Sequence, residues 1–421
     1  MAEYFLRADG TAANKAAAVG PQDDTTKCMS IATHNAETFS AGDILTISGL
    51  GGNYSDTLQT PSAGASGNVI TYNGVNGATL DGQNRTVATG IILNKDYLKF
   101  TNINGQEYLT NCMTTSLTPV GIEFQTCSFT GSDDQLVNND GTIVYRNCVF
   151  DGGADEAVSI HTGADVSLYD CIIKDTVGDG GLALQAAGTG ITIYIDGCQI
   201  SDNKNISVDS TSTFNMWRST MGISGTGDFI DAGNSTINFC RFNFTADGVT
   251  SASGRLKTID STTMHVNNCV MYSVGDGGGY GCYPSENSTI NFNNTIFEKY
   301  RFAAYPNNAG SVVNFTNVCD NTIVSLTRTG GSGTSSETDT LTADPLILAS
   351  GRINSLSPCI DAGVWIESIH GLGPADLWGK YIYKLVNIGV DQGAGAPVTE
   401  GTIYSANKLY VDSVFQHQDD I

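Results

Sequence analysis

Three aspartates, Asp209, Asp231 and Asp260, each close a short apolar segment just before a turn of small residues: ISVD before STS, FID before AGN, and KTID before STT. Carboxylates held close together cannot all ionise freely, so one keeps a proton or a cation settles between them. Two carboxyl groups about 5 to 10 Å apart are the working parts of glycoside hydrolysis. The same segment end reads His161 and Gln185 before the aspartates, then Tyr283 and Tyr305 after them. Tyrosine offers a flat apolar face with a polar tip, which suits a sugar ring. Asp209, Asp231 and Asp260 are therefore the expected catalytic or calcium-holding set, with His161, Gln185, Tyr283 and Tyr305 as substrate contacts. A simpler role competes, because Asp before a small-residue turn commonly caps its own backbone.

A second acidic pair, Asp179 and Asp276, lies in a repeated VGDGG segment. Carboxylate and carbonyl oxygens in such a turn suit Ca²⁺, although the spacing fits no EF-hand loop. Calcium is the one cofactor these residues suggest. The five histidines form no paired ligand spacing, and no nucleophile elbow, phosphate loop or dinucleotide fingerprint stands in its required context.

These residues must be positioned by a repeat. From Pro119 to Gly331 a short alternating apolar strand recurs about nine times, each ending near Cys127, Cys148, Cys171, Cys198, Thr220, Cys240, Cys269, Thr295 or Cys319. Successive register points lie 20 to 29 residues apart. NSTINF occurs twice, at Asn234–Phe239 and Asn287–Phe292. After each strand come a Gly/Asp turn, a second short strand and a Gly/Ser/Thr/Asn turn. Such a period signals stacked units, and the leucine-rich pattern is absent. Stacked rungs lie about 4.8 Å apart, so outward side chains at one rung position form columns. The 11 cysteines have no CxxC spacing, and most of them recur at one rung position. In-register parallel neighbours point the same way, which makes bridging awkward. They are expected as buried thiols interchangeable with Thr220 and Thr295.

The net charge of −23 repels a nucleic-acid backbone, and no basic stripe offsets it. No apolar run reaches the ~18 residues of a membrane span, so no membrane insertion is expected. The opening MAEYFLRADG lacks the basic and apolar regions of a secretory signal. An extracellular location then requires either a removed signal or release with a virion. The chain divides into an N-terminal cap (1–40), a parallel β-helix (41–331), closing rungs (332–394) and a tail (395–421) that offers an oligomer contact.

GNVITY at Gly67–Tyr72, LDG at Leu80–Gly82 and SPCIDAG near Ala343–Gly363, followed by the imperfect NIGVDQ at Asn387–Gln392, resemble the pectate-lyase-like superfamily. The resemblance implies an all-β, right-handed parallel β-helix of roughly a dozen rungs, and a polysaccharide or cell-surface glycan as partner. In lyases of that kind Arg and Lys neutralise a uronate and remove the adjacent proton; Arg255 and Lys257 are the nearest analogues by position. Bacteriophage tailspike-like proteins share the fold, and that reading, with a virion location and a homotrimer, comes first. The alternatives are a secreted bacterial polysaccharide lyase or hydrolase, and a structural or adhesive solenoid without catalysis.

Overall fold

The computed structural model describes residues 1–138, 140–152, 156–174, 184–201, 206–224, 229–245, 256–258, 260–274, 280–306, 308–322, 324–327, 331–348, 352–364, 366, 376 and 387–389. Its strands pair in parallel throughout and coil into a β-helix. Each rung carries three strands where the sequence pattern shows two. A representative rung runs Thr142–Arg146, Val149–Asp151 and Val158–His161. We term the three resulting stacks ladders I, II and III. Among the described residues ladder II has 12 strands, in line with roughly a dozen rungs. Ladders I and III merge into a 24-stranded sheet, because Ile206–Trp217 and Ile230–Asn238 run through both.

The missing strand is hidden by a one-residue corner. Between ladders I and II a single residue turns left-handed in successive rungs: Asn102, Thr126, Asn147, Asp170, Gly197, Arg218, Phe239, Asn268, Asn294 and Asn317, with φ between 41° and 68°. Asn, Asp and Gly tolerate that conformation best, which explains much of this column's composition. One corner residue leaves the apolar alternation almost unbroken, so two strands read as one.

The residue after each corner points inward. It is Ile103, Cys127, Cys148, Cys171, Cys198, Ser219, Cys240, Cys269, Thr295 or Val318, and ladder II carbonyl bonds of 2.7–3.1 Å tie this column together. Ser219 thus takes the place expected for Thr220, and Val318 the place expected for Cys319. The thiols donate to the carbonyl two residues back, as from Cys148 to Arg146 (3.3 Å) and Cys171 to Tyr169 (3.3 Å). The Ser219 and Thr295 hydroxyls do the same. A small buried side chain with a weak donor satisfies a carbonyl that the corner strands. All 11 cysteines are buried and unbridged, as expected.

Alternation sets the core. In ladder I, Ile143, Val166, Ile193 and Phe214 stack inward in register, as do Tyr145, Leu168, Ile195 and Met216. Flat rings stack along the axis: Tyr72 on Phe100 and Phe100 on Phe124, each at 4.7 Å.

At the N-terminal end Glu3–Arg7 pairs with Ile44–Ser48. The helix Ile31–Asn35 covers the first rungs and buries His34 between Phe39 (5.1 Å) and Tyr72 (5.6 Å). Parallel stacking runs on to Thr334–Thr338 and Leu341–Thr342. Beyond it, Ile353, Cys359 and Ile388 pack over Val270, Ile296 and Cys319 of ladder II. The Asn294 amide bonds Val364 in both directions, at 2.8 Å each way. Among the described residues no helix is long and apolar enough to cross a membrane.

Candidate functional site

Ladder III carries the candidate site, and alternation alone decides which of its side chains face out. Leu184 and Ala186, Ile206 and Val208, Ile230 and Ala232, Leu256 and Thr258 are all buried. The residues between them are Gln185, Ser207, Asp231 and Lys257, which must point outward. Register places them on successive rungs: Ser159 opposite Gln185, then Ser207, Asp231, Lys257 and Tyr283. Tyr305 follows, its ring 5.8 Å from that of Tyr283 and 4.9 Å from that of Tyr280.

The expected column of three aspartates does not form. Asp231 stands in the column, but Asp209 lies two residues past its member Ser207, and Asp260 lies three past Lys257. His161 likewise sits two past Ser159 and faces Ala187. The cause is turn length. The step from ladder III to ladder I takes six residues from Ser207 to Thr213 and from Lys257 to Thr263, but three from Asp231 to Asn234. Distance from the turn therefore does not mark a column. Gln185, Asp231, Tyr283 and Tyr305 keep their expected places, and Lys257 enters between the last two pairs.

Each displaced aspartate has a local occupation. Asp209 accepts from the backbone N–H and hydroxyl of Thr211, both at 3.0 Å, which is backbone capping. Asp260 is exposed in a left-handed turn, and the next rung repeats that turn with Glu286 at the equivalent place. The stacked turns are tied by Ser261 N–H donating to the Glu286 carbonyl at 2.9 Å. Their side chains meet, and the hydrogen bond to Asp260 holds the Glu286 carboxyl above its ordinary value, against the opposing pull of Lys257. Glu286 went unnoticed in the sequence because it belongs to a turn, while the reading followed strand ends. Its signal was available: Asp260 and Glu286 both stand three residues before the ladder I pair Thr263 and Thr289.

Lys257 donates to Asp231 Oδ2 across the rung gap, and both side chains are about one-quarter exposed or less, at 26% and 20%. The other oxygen, Asp231 Oδ1, is buried without a hydrogen-bond partner among the described residues. The face thus combines a fixed cation–anion pair, two neighbouring carboxyls beside it, and two tyrosine rings further along. Such a set can neutralise a substrate carboxylate, exchange a proton and stack a ring. Arg255 and the calcium candidates Asp179 and Asp276 lie outside the described residues. Among the described residues no group of three or more His, Cys, Asp or Glu side chains is arranged to hold a metal ion.

No protein-family model matches the chain, and neither does any curated protein sequence. Among solved structures, pectate lyase Pel9A superposes with a TM-score of 0.54 at 13% identity, over 93% of this chain and 96% of its own. A GH136 lacto-N-biosidase from Eubacterium ramulus aligns with a TM-score of 0.45 at 10% identity, over 81% of this chain and 68% of its own. Nearly the whole of both chains is aligned in the first comparison, and the chain therefore shares the parallel β-helix fold of pectate lyase Pel9A.

Proposed function

We propose that this protein is an extracellular polysaccharide-degrading enzyme that works on the outward face of ladder III. The observation that carries the reading is the Asp231–Lys257 pair, set mid-column with Tyr283 and Tyr305 along the same face. The fold likeness to a pectate lyase supports this reading ahead of a tailspike. The substrate class it favours is a uronate-containing chain, and the reaction is β-elimination. Lys257, kept in place by Asp231, faces the substrate carboxylate and acidifies the adjacent C–H. The Asp260–Glu286 pair takes that proton as the C–H electron pair forms the new C=C bond. The C–O bond to the leaving sugar breaks, and the pair returns a proton to the departing oxygen.

Hydrolysis is the second reading, favoured by the raised Glu286 carboxyl, which is suited to protonating a glycosidic oxygen. A panel of acidic and neutral polysaccharides, incubated with and without calcium, separates the two. Ultraviolet absorbance from unsaturated uronate ends identifies a lyase, and new reducing ends without it identify a hydrolase. Neither signal on any substrate would overturn the enzymatic reading.

A further inference from the structure

Ladder I carries a feature that the ladder III site does not use. In three consecutive rungs its outward positions hold Tyr169, Tyr194 and Trp217, all half-buried. Their inward neighbours Leu168, Ile193, Ile195 and Met216 are fully buried, so alternation forces the rings out. Elsewhere the outward positions of this ladder are mainly polar, with Lys99 and Glu123 before the strip and Thr236, Asn291 and Asn314 after it. Water-facing sheet positions do not call for three large rings in a row.

The rings are also fixed. Tyr169 and Tyr194 lie 5.6 Å apart across one rung gap. The Arg146 guanidinium lies 4.3 Å from the centre of the Tyr169 ring and 3.5 Å from the Glu123 carboxylate. Arg218 grips Asp196 through Nε at 2.7 Å and through a second nitrogen, and the Tyr194 hydroxyl bonds the same carboxylate. Rings held this way lose little freedom when a ligand covers them.

We propose that Tyr169, Tyr194 and Trp217 form a second polysaccharide-binding strip, separate from the ladder III site, on which sugar rings of one chain stack along the solenoid axis. Register places Tyr169 and Trp217 in one column two rungs apart, about 10 Å, which is the length of about two sugar units. The charges of Glu123 and Asp196 cancel those of Arg146 and Arg218 beside the strip, leaving a near-neutral window on a protein of net charge −23. A neutral glycan fits that window best, whereas a nucleic acid, the other polymer that stacks on rings and a denser polyanion than a uronate chain, is repelled most strongly by the overall field. The ligand class rests on the polysaccharide reading above. The strip would hold long chains near the enzyme and leave short oligosaccharides unaffected.

Native gels cast with polygalacturonate or with neutral galactan test the proposal. Wild-type protein is expected to be retarded in at least one gel. The Tyr169→Ala/Trp217→Ala double variant should show at least tenfold weaker retardation while cleaving trisaccharides at the wild-type rate. Trp217→Phe, which keeps a ring, should retain most of the retardation, and equal melting temperatures exclude misfolding. Lys257→Met should lose cleavage and keep retardation. Wild-type mobility unaffected by either gel, or a double variant retarded as strongly as wild type, would overturn the strip. Retained cleavage by Lys257→Met would instead overturn the ladder III reading and leave the strip standing.

Discussion

Asp231 and Lys257 stand opposite each other on successive rungs of ladder III, and the lysine ammonium closes onto one oxygen of the aspartate while the other stays buried and unbonded among the described residues. A pair that only stabilised the fold would be replaceable by two neutral side chains. A pair that holds a cation for catalysis would not. Lys257→Met leaves a largely buried carboxylate unpaired, at a cost of about 1–3 kcal/mol. The double variant Asp231→Asn/Lys257→Met should recover most of that stability. Turnover should fall at least ~100-fold in both, the loss typical of a removed charge-stabilising or proton-transferring group. Melting curves and initial rates on the best substrate of the panel decide it; a double variant with wild-type turnover would sink the catalytic assignment.

The Asp260–Glu286 contact predicts a pH effect of opposite sign on its two sides. Glu286 has its carboxyl raised in the folded protein by the bond to Asp260. The stabilisation is present below the ordinary carboxyl value and is lost as pH rises through the folded one. At neutral pH the ionised Glu286 carboxylate is repelled by the charge of Asp260. Glu286→Gln should therefore raise the melting temperature slightly at pH 7 and lower it, or leave it unchanged, near pH 4. The same variant should displace the pH–rate profile if the pair moves the proton. Thermal melts across pH 4–8 provide the measurement, and an identical pH dependence in variant and wild type would show that the carboxyls do not interact.

The β-helix was legible because its cause is periodic. Small buried residues recur at one corner, and apolar alternation runs through each rung, so the spacing from Cys127 to Thr295 marks the stack in the sequence alone. The site was only half legible because columns are set by hydrogen-bond register, which short turns conceal. Gln185, Asp231, Tyr283 and Tyr305 share the outward column because each directly follows a buried strand residue: Leu184, Ile230, Cys282 and Ala304. Asp209 and Asp260 were misplaced because a turn differing by three residues separates them from Ser207 and Lys257. Glu286 required knowing that two turns stack. The identity of Ser219 as the cysteine equivalent required the left-handed corner, which composition hints at through Asn and Asp but does not locate.

Thr126 is the one β-branched residue among the corner residues named above. Its φ is 56°, in a column otherwise rich in Asn, and its N–H donates to the Arg146 carbonyl at 2.9 Å. A β-branched side chain is unfavourable in the left-handed region by roughly 1 kcal/mol or more relative to Asn or Gly. Thr126→Asn should therefore raise stability by about 1 kcal/mol, while Asn147→Val should lower it by at least as much. Chemical denaturation of the two variants checks both signs, and a neutral Thr126→Asn would mean the corner is not strained.

The thiol column should be chemically silent. Burial raises the Cys240 thiol of that column well above its ordinary value, and every cysteine is both buried and unbridged. The thiolate is the reactive form, so native protein should not react with a thiol reagent on the timescale of minutes. All 11 should titrate once the chain is denatured. Cys171→Ala should cost about 1–2 kcal/mol through the lost methyl-sized volume and the sulfur donor to Tyr169. Rapid labelling of several thiols in the native state would contradict the packing described.

His34 gives the N-terminal cap its own acid limit. It is fully buried between Phe39 and Tyr72, its Nδ1 lies 3.1 Å from Asn35 Oδ1, and desolvation lowers its pKa to about 4. The unfolded chain binds that proton near the ordinary histidine value of about 6.5. Stability from the neutral, buried imidazole is therefore complete above pH 6.5 and falls as pH drops toward 4. A displacement of this size corresponds to roughly 3 kcal/mol. His34→Leu keeps an apolar plug beneath the helix and removes the titration. Its melting temperature should lie below that of wild type at pH 7.5, where the imidazole's fit and hydrogen bond are intact. The gap should close as pH falls from 6.5 to 4.5. A wild type and variant whose melting temperatures run parallel across that range would show that His34 does not resist protonation in the folded cap.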